Sequence, residues 1–471
     1  MSSLETTGRI IRDRARTTPG RVAIVSDERE VTYAELDSAS DALAAALVAR
    51  GLRRGDRVAT LTGNSPEHVV VFFACAKAGL VLLPLNWRLA PAELAYQLDD
   101  ADPASFLVEP GLEELAEPTN HPFEPLAWPD WTAKLDAEVA GDDPLLLIYT
   151  SGTTGRPKGA LLTHANCFWT NVGFDLSTGV SGDDVVLQVL PQFHCGGWNV
   201  QPLLAWWKGG TVVLERVFDA ERCLDLIERR HVTTMMGVPA NYLFMAEAPG
   251  FGTADLTSLR RAVVGGAPMP ETLIQTWAAR GVEIVQGYGL TEAAPNVLCL
   301  PPEDALRKIG YAGKPYPYVE VDLREGELVV RGPNVFPGYW RNPEATEAAF
   351  ADGWLLTGDL AERDEEGYYR IRGRVKDMFI SGGENVYPAE VESVLHEHPA
   401  VRECAVVGVP DERWGEVGLA YVVLLRDVPD DELAEFCRSR LARFKVPKRF
   451  VRLDALPRSA MNKVVLSELP V

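Results

Sequence analysis

At 471 residues the chain exceeds what one ordinary hydrophobic core organises, so two or three domains are expected. A composition of 46% apolar and 24% charged residues belongs to a folded chain and excludes a disordered or fibrous one. The net charge of -21 repels phosphate backbones and argues against non-specific nucleic-acid binding.

The Arg-rich opening, "RIIRDRARTTPGR", is set apart from a transit peptide by Glu5 and Asp13 and reads as a first surface helix. "TYAELDSASDALAAALVARG" carries apolar residues at helical spacing and stops at a glycine. The longest apolar stretch, "HVVVFFACAKAGLVLLPLNW", contains Lys77 and a Gly-Leu turn, so it reads as helix then strand, not a membrane span. Short apolar runs alternate with helical patterns: "RVAIV", "DRVATL", "GLVLLPL", "SFLVE", "PLLLIYT", "DVVLQVLP", "GTVVL" and "EIVQGYG". That alternation implies largely parallel sheets with helices on their faces.

After about residue 300 the texture changes. "VEVDLREGELVVRGPNVFPGYW" and "GWLLTGDLAERDEEGYYRIRGR" read as short strands and hairpins. From Lys376 onward a helix at "PAEVESVLHEH", strands at "ECAVVGV" and "GLAYVVLL", and a helix at "DDELAEFCRSRL" make a new unit. The fold class is therefore α/β. A large N-terminal domain of mixed, largely parallel sheets carries helices and a small β region; a small, mobile α+β C-terminal domain follows. The boundary falls in "RGRVKDM" (372–378), giving 1–374 and 375–471. Seven cysteines without paired spacing, and no secretory h-region, are read as reduced thiols of a cytoplasmic protein, some buried as small hydrophobes.

The chemistry concentrates first at "YTSGTTGRPKGALLTH" (149–164). A Walker loop would run straight from its lysine and a Ser or Thr into a helix. Here Pro157 precedes Lys158, Gly159 follows it, "GALLTH" looks extended, and a helix starts only after Thr163 as N-cap. This is a phosphate-binding loop of another kind; a plain surface turn does not explain so many small and hydroxyl residues before a lysine. The wording, with "PQFHCGG", "GGAP", "QGYGLTEAA", "GELVVRGPNVFPGYW", "GWLLTGD", "GRVKDMFISGGENVYPAEVE" and "PRSAMNK" in order, resembles the acyl-adenylate-forming superfamily over nearly the whole chain. Within it, the acyl-CoA synthetase branch, and there the bacterial feruloyl-type and medium-chain ligases, are similar in wording.

The resemblance implies ATP, Mg²⁺ and coenzyme A, and a carboxylic acid activated as its adenylate. It assigns Thr150, Ser151, Gly152, Thr153, Thr154, Gly155 and Lys158 to the β- and γ-phosphates. Thr291 would bond the α-phosphate and Glu292 would hold the metal. Gly265, Gly266, Ala267, Gly287, Tyr288 and Gly289 would form the adenine site, with Tyr288 stacked on the base. Asp359 would accept both ribose hydroxyls, assisted by Arg374. Lys463 would stabilise charge between carboxylate and α-phosphate, and Asn462 stands where relatives usually carry glycine, tolerating the same left-handed turn.

His194 would flank the acyl pocket without acting as a base, because a carboxylate needs no deprotonation at neutral pH. Trp169, Phe174, Trp198, Gly289, Ala294 and Pro295 would line the rest of that pocket. The segments around them contain no lysine or arginine, which disfavours dicarboxylates and suits a flat aromatic or medium-length apolar acid. His396 and His398 flank Glu397 and read as a solvated helix end.

Arg438–Arg452 holds seven basic residues and no acid, a polyanion site on an acidic chain. Coenzyme A would meet Arg443 and Lys445 there, with Ser381, Gly382, Gly383 and Trp414 along its pantetheine arm. Lys376 matches the superfamily's hinge. An adenylating ligase serving a carrier protein or an amine is the alternative reading; the protein would act as monomer or homodimer, away from nucleic acid and membrane.

Overall fold

Local chemistry starts the first long helices as the sequence predicts. Thr32 accepts the Glu35 N–H while the Glu35 carboxylate takes the Thr32 N–H, opening the helix Tyr33–Ala49. Ser65 caps the helix Pro66–Ala78, which ends at Gly79 with φ +69°. The lysine inside this apolar helix is buried: Lys77 Nζ lies 2.5 Å from Asp37 and 2.8 Å from Asp41 on the neighbouring helix. The computed structural model describes residues 5–27, 29–150, 156–382, 384–459 and 462–470.

Two large sheets carry the N-terminal part. In one, six parallel strands run in the order Ile284–Gly289, Arg261–Val264, Thr234–Gly237, Val185–Gln188, Thr211–Leu214 and Val22–Ser26, with antiparallel strands at both edges. The other orders Gly338–Tyr339, Lys158–Thr163, Pro144–Thr150, Val81–Leu85, Arg57–Leu61, Ser105–Val108 and Glu124–Pro125. Its first two pairings are antiparallel and the others parallel.

All eight strands expected from the first three hundred residues form. Thr234–Gly237 and Arg261–Val264 escape the sequence reading because each is four residues long, Met-rich or preceded by arginines, and offers no alternation. Thr163 caps the helix His164–Thr178 and the preceding segment is a strand, so the stretch after Lys158 has the expected form.

A third, antiparallel sheet holds Glu320–Arg324, Glu327–Arg331, Trp354–Arg363, Phe350–Ala351 and Tyr369–Arg374. Past an exposed turn containing Lys376, the chain enters a separate sheet. Its members are Phe379–Ser381, Glu384–Val386, Val401–Asp411, Gly415–Leu424 and Arg449–Arg452, packed with the helices Pro388–His396 and Asp430–Arg438.

One expectation here is corrected. The pair in "LHEHP" is not a solvated helix end: His398 is buried edge-on against Phe436, its Nδ1 accepts the Ala400 N–H, and burial pushes His396 down to about 4. All seven cysteines are buried free thiols. No helix among the described residues is long and apolar enough to cross a membrane.

Candidate active site

Residues 265–267 and 289–292 lie at the carboxyl ends of two neighbouring parallel strands, where loops leave the core and backbone groups come free. Thr150 and Lys158, at the two ends of the expected phosphate loop, are partners in an antiparallel ladder. Ser151, Gly152, Thr153, Thr154 and Gly155 lie outside the described residues. Lys158 is half-buried with its ammonium 5.4 Å above the Tyr339 ring. Tyr339 Oη in turn donates to Glu292 Oε1 at 2.8 Å. Burial, and then the Glu292 carboxylate, push the Tyr339 pKa up, so its hydroxyl stays a donor. Gly338–Tyr339 is itself a strand on Lys158–Thr163, and the Trp340 N–H donates to the Gly159 carbonyl. Lys158 and Glu292, far apart in sequence, are thus tied through one tyrosine.

At the other end, Val264 gives way to the exposed edge Gly266–Ala267, with Gly266 at φ +82°. Across from it Tyr288 Oη donates to Asp359 Oδ2 at 2.6 Å, and Arg374 Nε reaches Asp359 Oδ1 at 3.0 Å. Asp359 and Arg374 are cross-strand partners, and the Asp359 N–H is tied to Thr357 Oγ1. Burial, then Asp359, raise Tyr288 well above an ordinary phenol.

Lys463 enters from the C-terminal part. A Cβ on Gly266 would stand 2.8 Å from Lys463 Cε and 3.1 Å from its Nζ, so a glycine here leaves the lysine its path. Burial, then Arg374, lower the Lys463 pKa, while Asp359 opposes them. The turn carrying it has Asn462 at φ +57°, the left-handed conformation foreseen for an asparagine in a glycine's place. His194 lies near enough to feel it: burial, followed by the charges of Lys463 and Arg88, holds its ring down at about 3.

The acyl-pocket assignments divide. Gly289 is obligatory, because a Cβ there would lie 1.6 Å from the Pro295 carbonyl oxygen. Glu292 belongs to the short helical turn Thr291–Ala293 that joins Gly289 to Ala294 and Pro295; Thr291 is half-buried at its start. Gly287 is half-buried at the point where its strand leaves the core, and Gly265 is buried against Met236.

Phe174 and Trp198 are corrected from pocket to core. Both are fully buried. Trp198 stacks on Phe72 at 4.5 Å and donates its indole N–H to the Gln192 carbonyl; Phe174 lies 6.0 Å from Tyr316. Trp169 packs edge-on against Tyr318, an exposed ring, on a different side of its helix from the buried Phe174.

In the C-terminal part, Trp414 lies over Gly382 (φ +62°) and accepts its N–H on the Trp414 carbonyl, while Ser381 is buried. Gly383 lies outside the described residues. Lys445 is corrected from ligand cation to structural partner, since both Glu390 oxygens stand 2.8 Å from its ammonium. Arg438, Arg440 and Arg452 are likewise paired with acids. Among the described residues this leaves Arg443, Lys448 and Arg449 as exposed cations without an ion pair. Lys376 is exposed in its turn.

Sequence reading missed three residues. Tyr339 sits inside a quoted motif, yet only tertiary pairing reveals its contact with Glu292. Arg88 comes from an unrelated segment and acts on His194. Arg458 holds the lysine-bearing turn, donating to the Asn462 carbonyl at 2.6 Å.

Lys463 thus comes up beside Gly266, within reach of the charges of the Asp359–Arg374 pair. Residues 11–340 match the family described as AMP-binding enzyme, and residues 390–463 match the AMP-binding enzyme C-terminal domain. A feruloyl-CoA synthase from Amycolatopsis sp is 42% identical over 97% of this chain and 96% of that protein. An indoleacetate–CoA ligase from Aromatoleum aromaticum is 42% identical over 95% and 94%. The o-succinylbenzoate CoA synthetase of Bacillus subtilis, solved with its acyl-adenylate OSB-AMP, superposes with a TM-score of 0.86 at 36% identity, covering 98% of this chain and 97% of that one. The same synthetase has been solved with ATP and magnesium. The chain belongs to the AMP-binding enzyme family, in its acyl-CoA synthetase branch, and is an AMP-forming acid–thiol ligase.

Proposed function

We propose that the enzyme activates a flat aromatic acid of the hydroxycinnamate or arylacetate kind with ATP and passes it to coenzyme A. The observation that carries the chemistry is Lys463, inserted beside Gly266 and close enough to Asp359 and Arg374 for their charges to act on it. For the substrate, support comes from the relatives named for ferulate and indoleacetate.

In the first half-reaction a carboxylate oxygen attacks the α-phosphorus of ATP, and the bond to the bridging oxygen breaks to release pyrophosphate. Lys158 and the loop after Thr150 hold the departing phosphates. Lys463 stabilises the charge gathering on the α-phosphate, and Asp359 fixes the ribose. Glu292 suits magnesium: one of its oxygens already takes a neutral hydroxyl bond, and among the described residues no cluster of three His, Cys, Asp or Glu side chains offers a closed cage. A single carboxylate fits an ion that draws its other ligands from phosphate and water. When bound, magnesium neutralises charge on the phosphate oxygens.

In the second half-reaction the coenzyme A sulfur attacks the acyl carbonyl, AMP leaves, and the thiol proton passes to solvent. That attack needs the space Lys463 fills. The units 1–374 and 375–471 therefore turn about Lys376 between half-reactions, and Arg443, Lys448 and Arg449 supply cations for the coenzyme's phosphates.

Pyrophosphate release over ferulate, indoleacetate, octanoate and malonate, with and without coenzyme A, tests the reading. Turnover is expected with the aromatic acids, and thioester only with the coenzyme. Preference for octanoate overturns the substrate class; acylation of an added amine or carrier protein in place of coenzyme A overturns the acceptor. Lys463→Ala is expected to lower pyrophosphate release at least about a hundredfold while supplied acyl-adenylate is still converted to thioester. Equal loss of both half-reactions rejects the rotation.

A further inference from the structure

The C-terminal part touches the large part at one helix in a way that bears on where Lys463 sits. Arg402 Nε donates to Glu247 Oε1 at 2.7 Å and Nη2 to Oε2 at 2.5 Å, a two-pronged pair between the units. Glu247 closes the helix Pro239–Glu247, and one turn back on it Phe244 lies under the Arg458 guanidinium, 5.7 Å from the ring centre. Arg402 is the extra residue of a β-bulge. Val401 and Glu403 pair with the successive residues Leu424 and Val423, leaving Arg402 without a cross-strand partner. Bulges re-aim a side chain, and this one sends Arg402 to the large part. Its neighbour Glu403 holds Arg458. Arg458 also donates to the Asn462 carbonyl, pairs across the turn with Val464, and is followed by Ser459, whose N–H bonds the Lys463 carbonyl at 2.7 Å.

We propose that the helix Pro239–Glu247 is the docking latch for the adenylating pose, with Glu247–Arg402 as its clasp and Arg458 as the positioning residue that carries docking to Lys463. This rests on the reading of Lys463 given above. The materials of the latch suit a contact that must open on every turnover. A half-exposed ion pair and a cation over a ring release at little cost, whereas an apolar seam would hold. The same contacts set a geometry, because Arg458 touches both the docking helix and the residue immediately before the lysine.

The test needs no substrate. The full-length protein is reductively methylated with formaldehyde and borohydride, and labelling of Lys463 is followed by mass spectrometry beside that of exposed Lys448. In the wild type Lys463 is expected to label far more slowly than Lys448. Glu247→Gln and Arg402→Gln are each expected to speed Lys463 labelling about threefold and leave Lys448 unchanged. The exchange Glu247→Arg with Arg402→Glu is expected to return it toward the wild-type rate, which a merely structural loss does not do. Arg458→Gln is expected to speed it with the clasp intact. Wild-type labelling of Lys463 as fast as Lys448 overturns the inserted pose and the reading beneath it. Protection unchanged in both single variants overturns the latch alone, and labelling that rises at Lys448 in step shows general loosening and also rejects it.

Discussion

Asp359 and Lys463 lie close enough for charge to act between them but stand on different supports. Asp359 lies within a ten-residue strand, 5% exposed, tied to Tyr288, Arg374 and Thr357. Lys463 stands on a turn held by backbone bonds to Ser459 and by Arg458, and the clasp beside it is a half-exposed ion pair. One support is a paired strand, the other a turn beside an ion pair between the two parts. On the function proposed above, that inequality suits two half-reactions in one site: a fixed seat for the nucleotide, and a lysine on a support that releases.

The persistent side breaks most severely at Gly289. Adding a Cβ there forces the backbone away from Pro295, so Gly289→Ala is expected to cost about 3 kcal/mol or more and to abolish adenylation. Denaturant unfolding beside pyrophosphate release checks both.

Next in size is acid. His68 and His164 are buried in the large part, and burial holds them near 3 and 4 respectively. The unfolded chain binds those protons near pH 6.5, the folded chain only near 3 to 4. Stability is therefore complete above 6.5 and falls as pH drops through that window, by about 2 kcal/mol for each histidine at pH 4.5. Urea midpoints between pH 7 and 4.5 are expected to fall accordingly, and less steeply in His164→Gln.

The smallest effect sharpens the comparison inside the fixed half. Tyr339→Phe removes one hydrogen bond to Glu292 and is expected to raise the magnesium concentration for half-maximal pyrophosphate release about fivefold. Conversion of supplied acyl-adenylate, which releases no pyrophosphate, should be unchanged. An unaltered magnesium curve would show that Glu292 is oriented without the tyrosine.

What the sequence made legible was local or motif-borne. Thr163 as a cap, the strand after Lys158 and Asn462 in a glycine's conformation each depend on neighbours in the chain. The pocket walls were not legible, because an aromatic residue near a motif reads the same whether it faces a ligand or a core. Trp198 stacks on Phe72, from a helix more than a hundred positions away. Lys445 failed for a related reason: a run of cations says nothing about the acids that folding brings to it, and Glu390 is on another element. Arg88 and Arg458 act through space on residues their own segments do not announce.

The two-residue strand Gly338–Tyr339 has a consequence for biosynthesis. It is the outer partner of the strand Lys158–Thr163. Until the ribosome has passed Tyr339, the nascent chain carries that strand as an unpaired edge, with open backbone donors and acceptors of the kind that recruit other chains. Pairing with Leu161 and Ala160 thus covers part of that edge and brings Tyr339 to Glu292 in a single event.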